Sequence, residues 1–231
     1  MPVIHDQEFG KIIIRRSAKA TQVRMRVNAD GTIRASLPPY APIFLVKRLL
    51  KNSRDELRAL IRQYRPAVVF KDGMKIGKSH TLIVNKSHGL ESSVSRQGQQ
   101  IIVTLADGVN LDAPLVVKEI KKRVIEALRV EAKSYLPRRL AFLAEKHGFT
   151  YSRTRFSTAS GRWGSYSDHG TVSLNIALMN LPFELIDYVL IHELAHTKQM
   201  NHSPAFWQLV LAADPDYKAH RRIMKTKSPS L

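Results

Sequence analysis

The stretch Leu185-Ile-Asp-Tyr-Val-Leu-Ile-His192-Glu193-Leu194-Ala195-His196 decides how this chain is read. It follows Pro182, is apolar with a helical period, and sets two His four residues apart. On a helix such positions stand one above the other, so both imidazoles can aim at one point, with Zn–N distances of about 2.0–2.1 Å. Glu193 is rotated by about 100° from His192, which suits it to a water in an open coordination position rather than to the metal. With 9 His and 9 Glu among 231 residues, chance gives His-Glu-x-x-His at about 1%. His202, after Thr197-Lys-Gln-Met-Asn201, adds a third imidazole at the spacing of a chain that turns back after a zinc helix, and brings the chance rate well under about 0.1%. Asn201 can take the left-handed conformation that such a return uses. Ser203-Pro204 reads as an N-cap followed by Pro at the first helical position, a rigid entrance beside His202. His192, His196 and His202 are therefore the expected ligands of one Zn²⁺ per chain, and Glu193 the expected general base. His5, His80, His88, His147, His169 and His220 are read as non-ligands.

Outward from this stretch, the strand signal Gly170-Thr-Val-Ser-Leu-Asn175 precedes the zinc helix, and Phe206, Trp207, Leu209 and Val210 read as core of the helix after it. Tyr166, Tyr188, Tyr217 and His220 are the candidate oxyanion donors, with no sequence ground to choose among them. Upstream, Asp112-Ala-Pro114 reads as a helix start with Asp112 as N-cap, Pro137 should end or kink that helix, and Gly148 should stop its continuation. Short strands are expected near Ala67–Phe70, His80–Asn85, Glu91–Ser95 and Gln99–Leu105. Before them, Lys11–Arg16 and Gln22–Val27 have strand composition, and Asn28-Ala-Asp-Gly31 turns the second into Thr32–Leu37 as a hairpin. A helix from about Pro42 to Tyr64 carries Lys47, Arg48, Lys51, Arg54, Arg58 and Arg62 around an apolar stripe. A domain boundary is placed near residue 110, and no internal repeat is visible.

Composition narrows the classes. A 44% apolar, 24% charged chain of 231 residues is globular, and the absence of Cys excludes disulfides, thiolate zinc sites and a Cys nucleophile. No apolar run is long enough to span a bilayer and no secretory h-region follows Met1, so membrane insertion is not expected and the cytoplasm is the default location. Net charge is +18. Residues 1–150 hold 28 Lys/Arg and 13 Asp/Glu, residues 151–231 hold 9 and 6. The basic N-terminal part favours anionic partners, and weak, non-specific nucleic-acid binding is expected of it.

Gly161-Arg-Trp-Gly-Ser-Tyr-Ser167, Val172-Ser-Leu-Asn175, Asp187-Tyr-Val-Leu-Ile-His-Glu-Leu-Ala-His196, Asn201-His-Ser-Pro-Ala-Phe-Trp207 and Asp214-Pro-Asp-Tyr217 resemble, in that order, the YgjP-like zinc-dependent metallopeptidases, zincin-type proteins related to the SprT-like proteases. The resemblance is strong over about residues 110–225 and looser before them. That family often has Cys where this chain has Tyr166. Beside these blocks, Arg162 can hydrogen-bond a carbonyl or carboxylate at the site; the alternative is that Trp163 packs in the core while Arg162 braces the fold. The expected fold is α+β, with a basic strand-rich module with one long helix over 1–110 and a minimal zincin-like domain over 111–231. The expected activity is peptide-bond hydrolysis by a zinc-bound water activated by Glu193, with peptides or proteins as substrate. Two alternatives stay open: a nucleic-acid-binding protein whose zinc is mainly structural, and a protease recruited to nucleic acid.

Overall fold

The structure is a computed structural model, and residues 3–18, 20–28, 33–64 and 69–229 are described. It is α+β, as the sequence implies, and divides into two units, Met1–Val68 and Val69–Leu231.

In the first unit, strands β1 (Val3–Asp6), β2 (Gly10–Arg16), β3 (Arg24–Val27) and β4 (Ile33–Leu37) form a sheet in the order β1-β2-β4-β3. β1 and β2 are an antiparallel hairpin, whose turn is held by the Asp6 carboxylate accepting from the Glu8 and Phe9 amides. β3 and β4 are antiparallel as expected, and β2 runs parallel to β4. Alternation sends Ile12, Ile14, Ile33, Ala35 and Leu37 to one face, where they share a core with Val46, Leu50 and Leu57. Those last residues come from two helices, α1 (Phe44–Asn52) and α2 (Arg54–Tyr64), separated at Ser53 where one long helix was expected. The tip of the expected turn at Ala29–Gly31 lies outside the described residues, as does the first half of the strand expected at Ala67–Phe70, whose described half, Val69 and Phe70, is not in a strand.

The second unit opens with β5 (Lys75–Ile76), β6 (His80–Lys86), β7 (Ser93–Gln97) and β8 (Gln100–Leu105), in the order β5-β6-β8-β7. The pairing senses are those of the first sheet: antiparallel, parallel, antiparallel. A repeat of topology is thus present that the sequence did not reveal. Helix α3 (Pro114–His147) covers the inner face of this sheet, and Leu82, Ile101 and Val103 share one core with Ile120, Leu128, Leu136 and Leu140. The division at Val68/Val69 therefore precedes the boundary expected near 110: the second sheet buries its apolar face with the downstream elements.

Two helix signals read differently in three dimensions. Ala113, not Asp112, occupies the N-cap position of α3, without a side-chain cap. Pro137 lies inside a continuous helix, where Leu136 and Leu140 are fully buried, so tertiary packing outweighs the lost hydrogen bond. Gly148 ends α3 in the left-handed conformation (φ 65°) as expected. Strands β9 (Arg153–Ser157), β10 (Gly164–Tyr166) and β11 (Thr171–Asn175) follow in the order β10-β11-β9, with β10 at an edge. A 3₁₀ turn, Ile176–Asn180, leads into α4 (Phe183–Ala195), α5 (Pro204–Ala213) and α6 (Tyr217–Met224).

Candidate metal centre

α4 is apolar nearly all round, with Leu185, Ile186, Val189, Leu190, Ile191, Leu194 and Ala195 buried, so it runs through the core of its unit. Asp187 accepts from Arg139 of α3 in two parallel bonds, Nε to Oδ1 at 2.8 Å and an Nη2 bond to Oδ2 at 2.6 Å, which fixes the helix in register. Its last turn brings His192 and His196 together, with ring centroids 5.1 Å apart. The chain then turns through Thr197–Asn201 and returns His202, whose ring lies 5.0 Å from His192 and 4.8 Å from His196. One nitrogen of each of the three rings lies within 4.8 Å of the others.

The donor set suits a divalent metal. Nε2 of His192 and Nε2 of His202 face each other at 3.1 Å, close to the edge of about 3.3 Å between two nitrogens of a tetrahedral zinc site. His196 gives its Nδ1 hydrogen to the Gln199 carbonyl at 3.0 Å, which leaves Nε2 as the lone-pair nitrogen. Burial, then the neighbouring His196, His202 and Arg221, push the His192 pKa down to about 3, so its ring is neutral, the form that ligates. Burial pushes His196 down as well.

Phe206, fully buried, packs under all three rings at centroid distances of 5.0, 4.5 and 4.8 Å. It is positioned by the cap foreseen in the sequence, since the Ser203 hydroxyl accepts from the Phe206 amide at 3.4 Å and Pro204 begins α5. Val210 is buried as expected, while Trp207 is half-buried and stacks on His202 and Tyr217. The left-handed turn expected of Asn201 is absent: no non-glycine among the described residues has positive φ.

Glu193 is buried and lies against β10. A Cβ at Gly164 would stand 2.7 Å from its Cγ and its Oε1, so only glycine lets the strand approach this carboxylate. Burial pushes Glu193 up to about 8, with Arg162 pulling the other way. An open cleft of about 270 Å³ adjoins it, lined by Trp163, Gly164, Tyr188, His192, Glu193 and Arg221 among others. The loop bearing Arg162 and Trp163 is clamped by Asn175, fully buried, whose Nδ2 donates to the carbonyls of Ala159 (2.6 Å) and Arg162 (3.0 Å). Sequence reasoning gave Asn175 no role, because its acceptors are more than ten residues away.

The four candidate oxyanion donors separate. Tyr188 stands one helical turn before His192 in the cleft wall, and burial pushes its phenol up to about 12, which keeps the hydroxyl protonated. His220 gives Nδ1 to Asp214 at 2.8 Å, with its ring 6.1 Å from Tyr188. Tyr217 is buried against Trp207, and Tyr166 is half-buried against the core.

A family model described as YgjP-like, metallopeptidase domain, matches residues 21–227. Among solved structures, the metallopeptidase zymogen abylysin of Pyrococcus abyssi is 31% identical, over 39% of this chain and 92% of that one, with a TM-score of 0.36. No curated protein matches.

Proposed function

The chain belongs to the YgjP-like metallopeptidase family, and from that premise we propose that it is a zinc peptidase in which His192, His196 and His202 hold one Zn²⁺ and Glu193 is the general base. Membership of a peptidase family implies a peptide or protein substrate. The observation that carries the finer reading is the convergence of three imidazoles beside a buried carboxylate at the wall of an open cleft. Among the described residues the cluster has three members, which suits a site with a coordination position left for water better than a closed structural one.

Zinc bound there would supply Lewis acidity and a water with pKa lowered toward neutrality. The positive charge of a bound metal would oppose the burial that raises Glu193 and favour its carboxylate form. In that form Glu193 would accept the proton of the attacking water and return it to the departing amine. Its position is set by Gly164, which admits the carboxylate against β10, and by the rotation of about 100° that separates it from His192 on the helix. β10 is a sheet edge, so its outer backbone groups can pair with an extended substrate segment beside Glu193. Tyr188 is the donor we assign to the developing oxyanion, because its protonated hydroxyl belongs to the cleft wall. No helix among the described residues is long and apolar enough to cross a membrane. The reading includes a cytoplasmic location, checked by fractionation against compartment markers.

The test is Glu193→Gln, which keeps the side chain's size and removes the proton acceptor. Zinc content and melting temperature should be unchanged, and turnover of a peptide that the wild type cleaves should fall by about 10²- to 10⁴-fold, on kcat rather than KM. Retained turnover sinks the mechanism. Zinc that survives chelation and dialysis in His196→Ala sinks the ligand assignment.

A further inference from the structure

Charge is the feature of this chain that peptide hydrolysis does not use, and the first unit shows where it stands open. Met1–Val68 carries 14 Lys/Arg against 5 Asp/Glu, a net +9 in 68 residues; the remaining 163 residues carry the same net charge. Opposite the buried face of the first sheet, Arg15, Arg24, Arg26 and Arg34 are all exposed. The strand register places them in two adjacent rows: Arg34 lies between Ile13 and Arg26, and Ser36 lies between Arg15 and Arg24. Together with Ser17 and Thr21 they line a hollow of about 450 Å³. Among the described residues no carboxylate pairs with any of the four, and Arg24 lies beside the neutral amide of Gln22. The helix stripe singled out in the sequence is only partly neutralised: Lys47, Arg48 and Lys51 are exposed without a carboxylate partner among the described residues, while Arg54 and Arg58 are paired. Arg54 pairs with Asp6 (2.8 Å) and Glu8 (2.6 Å), and Arg58 pairs with Glu8 and with Asp55 (2.7 Å).

Two observations distinguish the sheet face from an ordinary solvated surface. Arg26 and Arg34 are direct cross-strand partners, and like charges so placed destabilise a sheet; a local rule broken without a compensating partner marks a functional position. The second unit also supplies an internal control. The bond from Ser17 N to Leu37 O (3.0 Å) recurs as Ser87 N to Leu105 O (2.9 Å), which aligns the two sheets residue by residue. In that alignment Arg15, Arg24, Arg26 and Arg34 correspond to Asn85, Ser93, Ser95 and Ile102. The topology forms without a charge at any of these positions.

We propose that this arginine face is a docking surface for the phosphate backbone of nucleic acid, bound without sequence preference. Guanidinium forks match phosphate oxygens in pairs. Their repeat, about 6.5–6.8 Å along a strand and about 4.7–4.9 Å between strands, suits a polymer of anions rather than one small ion. The hollow has no aromatic side chain in its lining, so there is no platform for base stacking, and duplex and single strands are held alike through their backbones. A membrane surface fits less well, since the lining offers no large apolar side chain to insert. The inference is independent of the zinc site.

The experiment uses the full-length protein and a short fluorescein-labelled DNA duplex of arbitrary sequence, followed by anisotropy from about 50 to 200 mM salt. The variant Arg15→Asn, Arg24→Ser, Arg26→Ser, Arg34→Gln is uncharged throughout, and its first three residues are those at the corresponding positions of the second sheet. It should bind about tenfold more weakly or worse, and the slope of log K against log salt should become shallower by about 3.6, or 0.9 per phosphate contact. A charge-matched control, Ser at Lys118, Lys122, Lys133 and Lys146, should keep most of the binding. Lys at the four arginine positions should restore it. If the quadruple variant does not show the wild-type circular dichroism, Arg24→Ser with Arg26→Ser gives the same reading at half the slope change. The proposal is overturned by any of three results: no wild-type binding at the lowest salt, equal losses in the arginine and lysine variants, or capture of anionic vesicles through this face with no binding of the duplex.

Discussion

The two sheets of this molecule share strand order and pairing, and each is tied to a following helix through its first hairpin turn, but the ties have opposite polarity. In the first, the turn supplies the acids, Asp6 and Glu8, and helix α2 supplies Arg54 and Arg58, at partly exposed positions. In the second, helix α3 supplies the acid. Glu131 accepts from the amides of Lys78 (2.7 Å) and Ser79 (2.9 Å), the Ser79 hydroxyl (2.7 Å) and Nδ1 of His80 (2.6 Å), and both Glu131 and His80 are buried. The difference teaches where each unit places its electrostatic energy. An exposed tie is screened and contributes little, whereas a buried carboxylate satisfied by four donors is costly to disturb.

The largest expected effect follows from removing Glu131. Glu131→Ala leaves two backbone amides, a hydroxyl and an imidazole without their acceptor inside the second unit, at a cost of about 3–5 kcal/mol. Gly77→Ala should approach the same loss by another route, because Gly77 has φ +62° and an added Cβ would overlap the Glu131 carboxylate. Glu8→Gln, which removes the Glu8 pairs of the exposed tie and leaves Asp6 with Arg54, should move the urea midpoint of the full chain barely beyond scatter. Equal shifts in Glu131→Ala and Glu8→Gln would erase the contrast between the ties.

A smaller effect should appear with pH. Burial alone would raise the Glu131 pKa, but the bonds from His80, Lys78 and Ser79 together outweigh it and leave the carboxyl below its ordinary 4.5. A depressed pKa in the folded state gives stability that is complete above the unfolded value and is lost as pH falls through the folded one. Urea midpoints of the wild type and Glu131→Gln should therefore differ near neutrality and converge below pH about 4.5. A gap that stays constant with pH would mean that the tie does not work through ionisation.

How much of this was legible in the sequence depended on the range of the contacts. The His192–His196 pair, the return to His202 and the Ser203 cap are settled within a few residues, and each is found where the spacing puts it. The parallel pairing of β2 with β4 was hidden, because turn chemistry reports on neighbouring strands only. The repeat was hidden as well: identities such as Ile13 with Ile83 and Leu37 with Leu105 are scattered, while pairs such as Ile12 with Leu82 keep only apolar character and Arg15 with Asn85 not even that. The boundary expected near residue 110 differs from the division at Val68/Val69 because α3 shares one core with Leu82, Ile101 and Val103, a contact no local signal reports. Glu193 stands in the sequence as the proposed base, but its close approach to Gly164 was not legible there, since the two meet only when β10 packs on α4.

The smallest expected effect concerns the arginine face, and its sign matters more than its size. Arg26 and Arg34 stand directly opposite each other with no acid beside them among the described residues, while Ser95 and Ile102 hold the corresponding pair in the second sheet. If the first sheet tolerates that repulsion for the sake of a ligand, relieving it should stabilise the protein. Arg26→Ser should then raise the melting temperature by about 1–2 °C, the scale of one cross-strand like-charge pair. The gain should shrink as salt is added, because both guanidinium groups are exposed and their repulsion is screened. Added duplex should reverse the order of the two proteins, since it stabilises the one that binds it better. A loss of stability in Arg26→Ser at low salt would instead make Arg26 a supporting member of the sheet and remove the argument that its charge is carried for a partner.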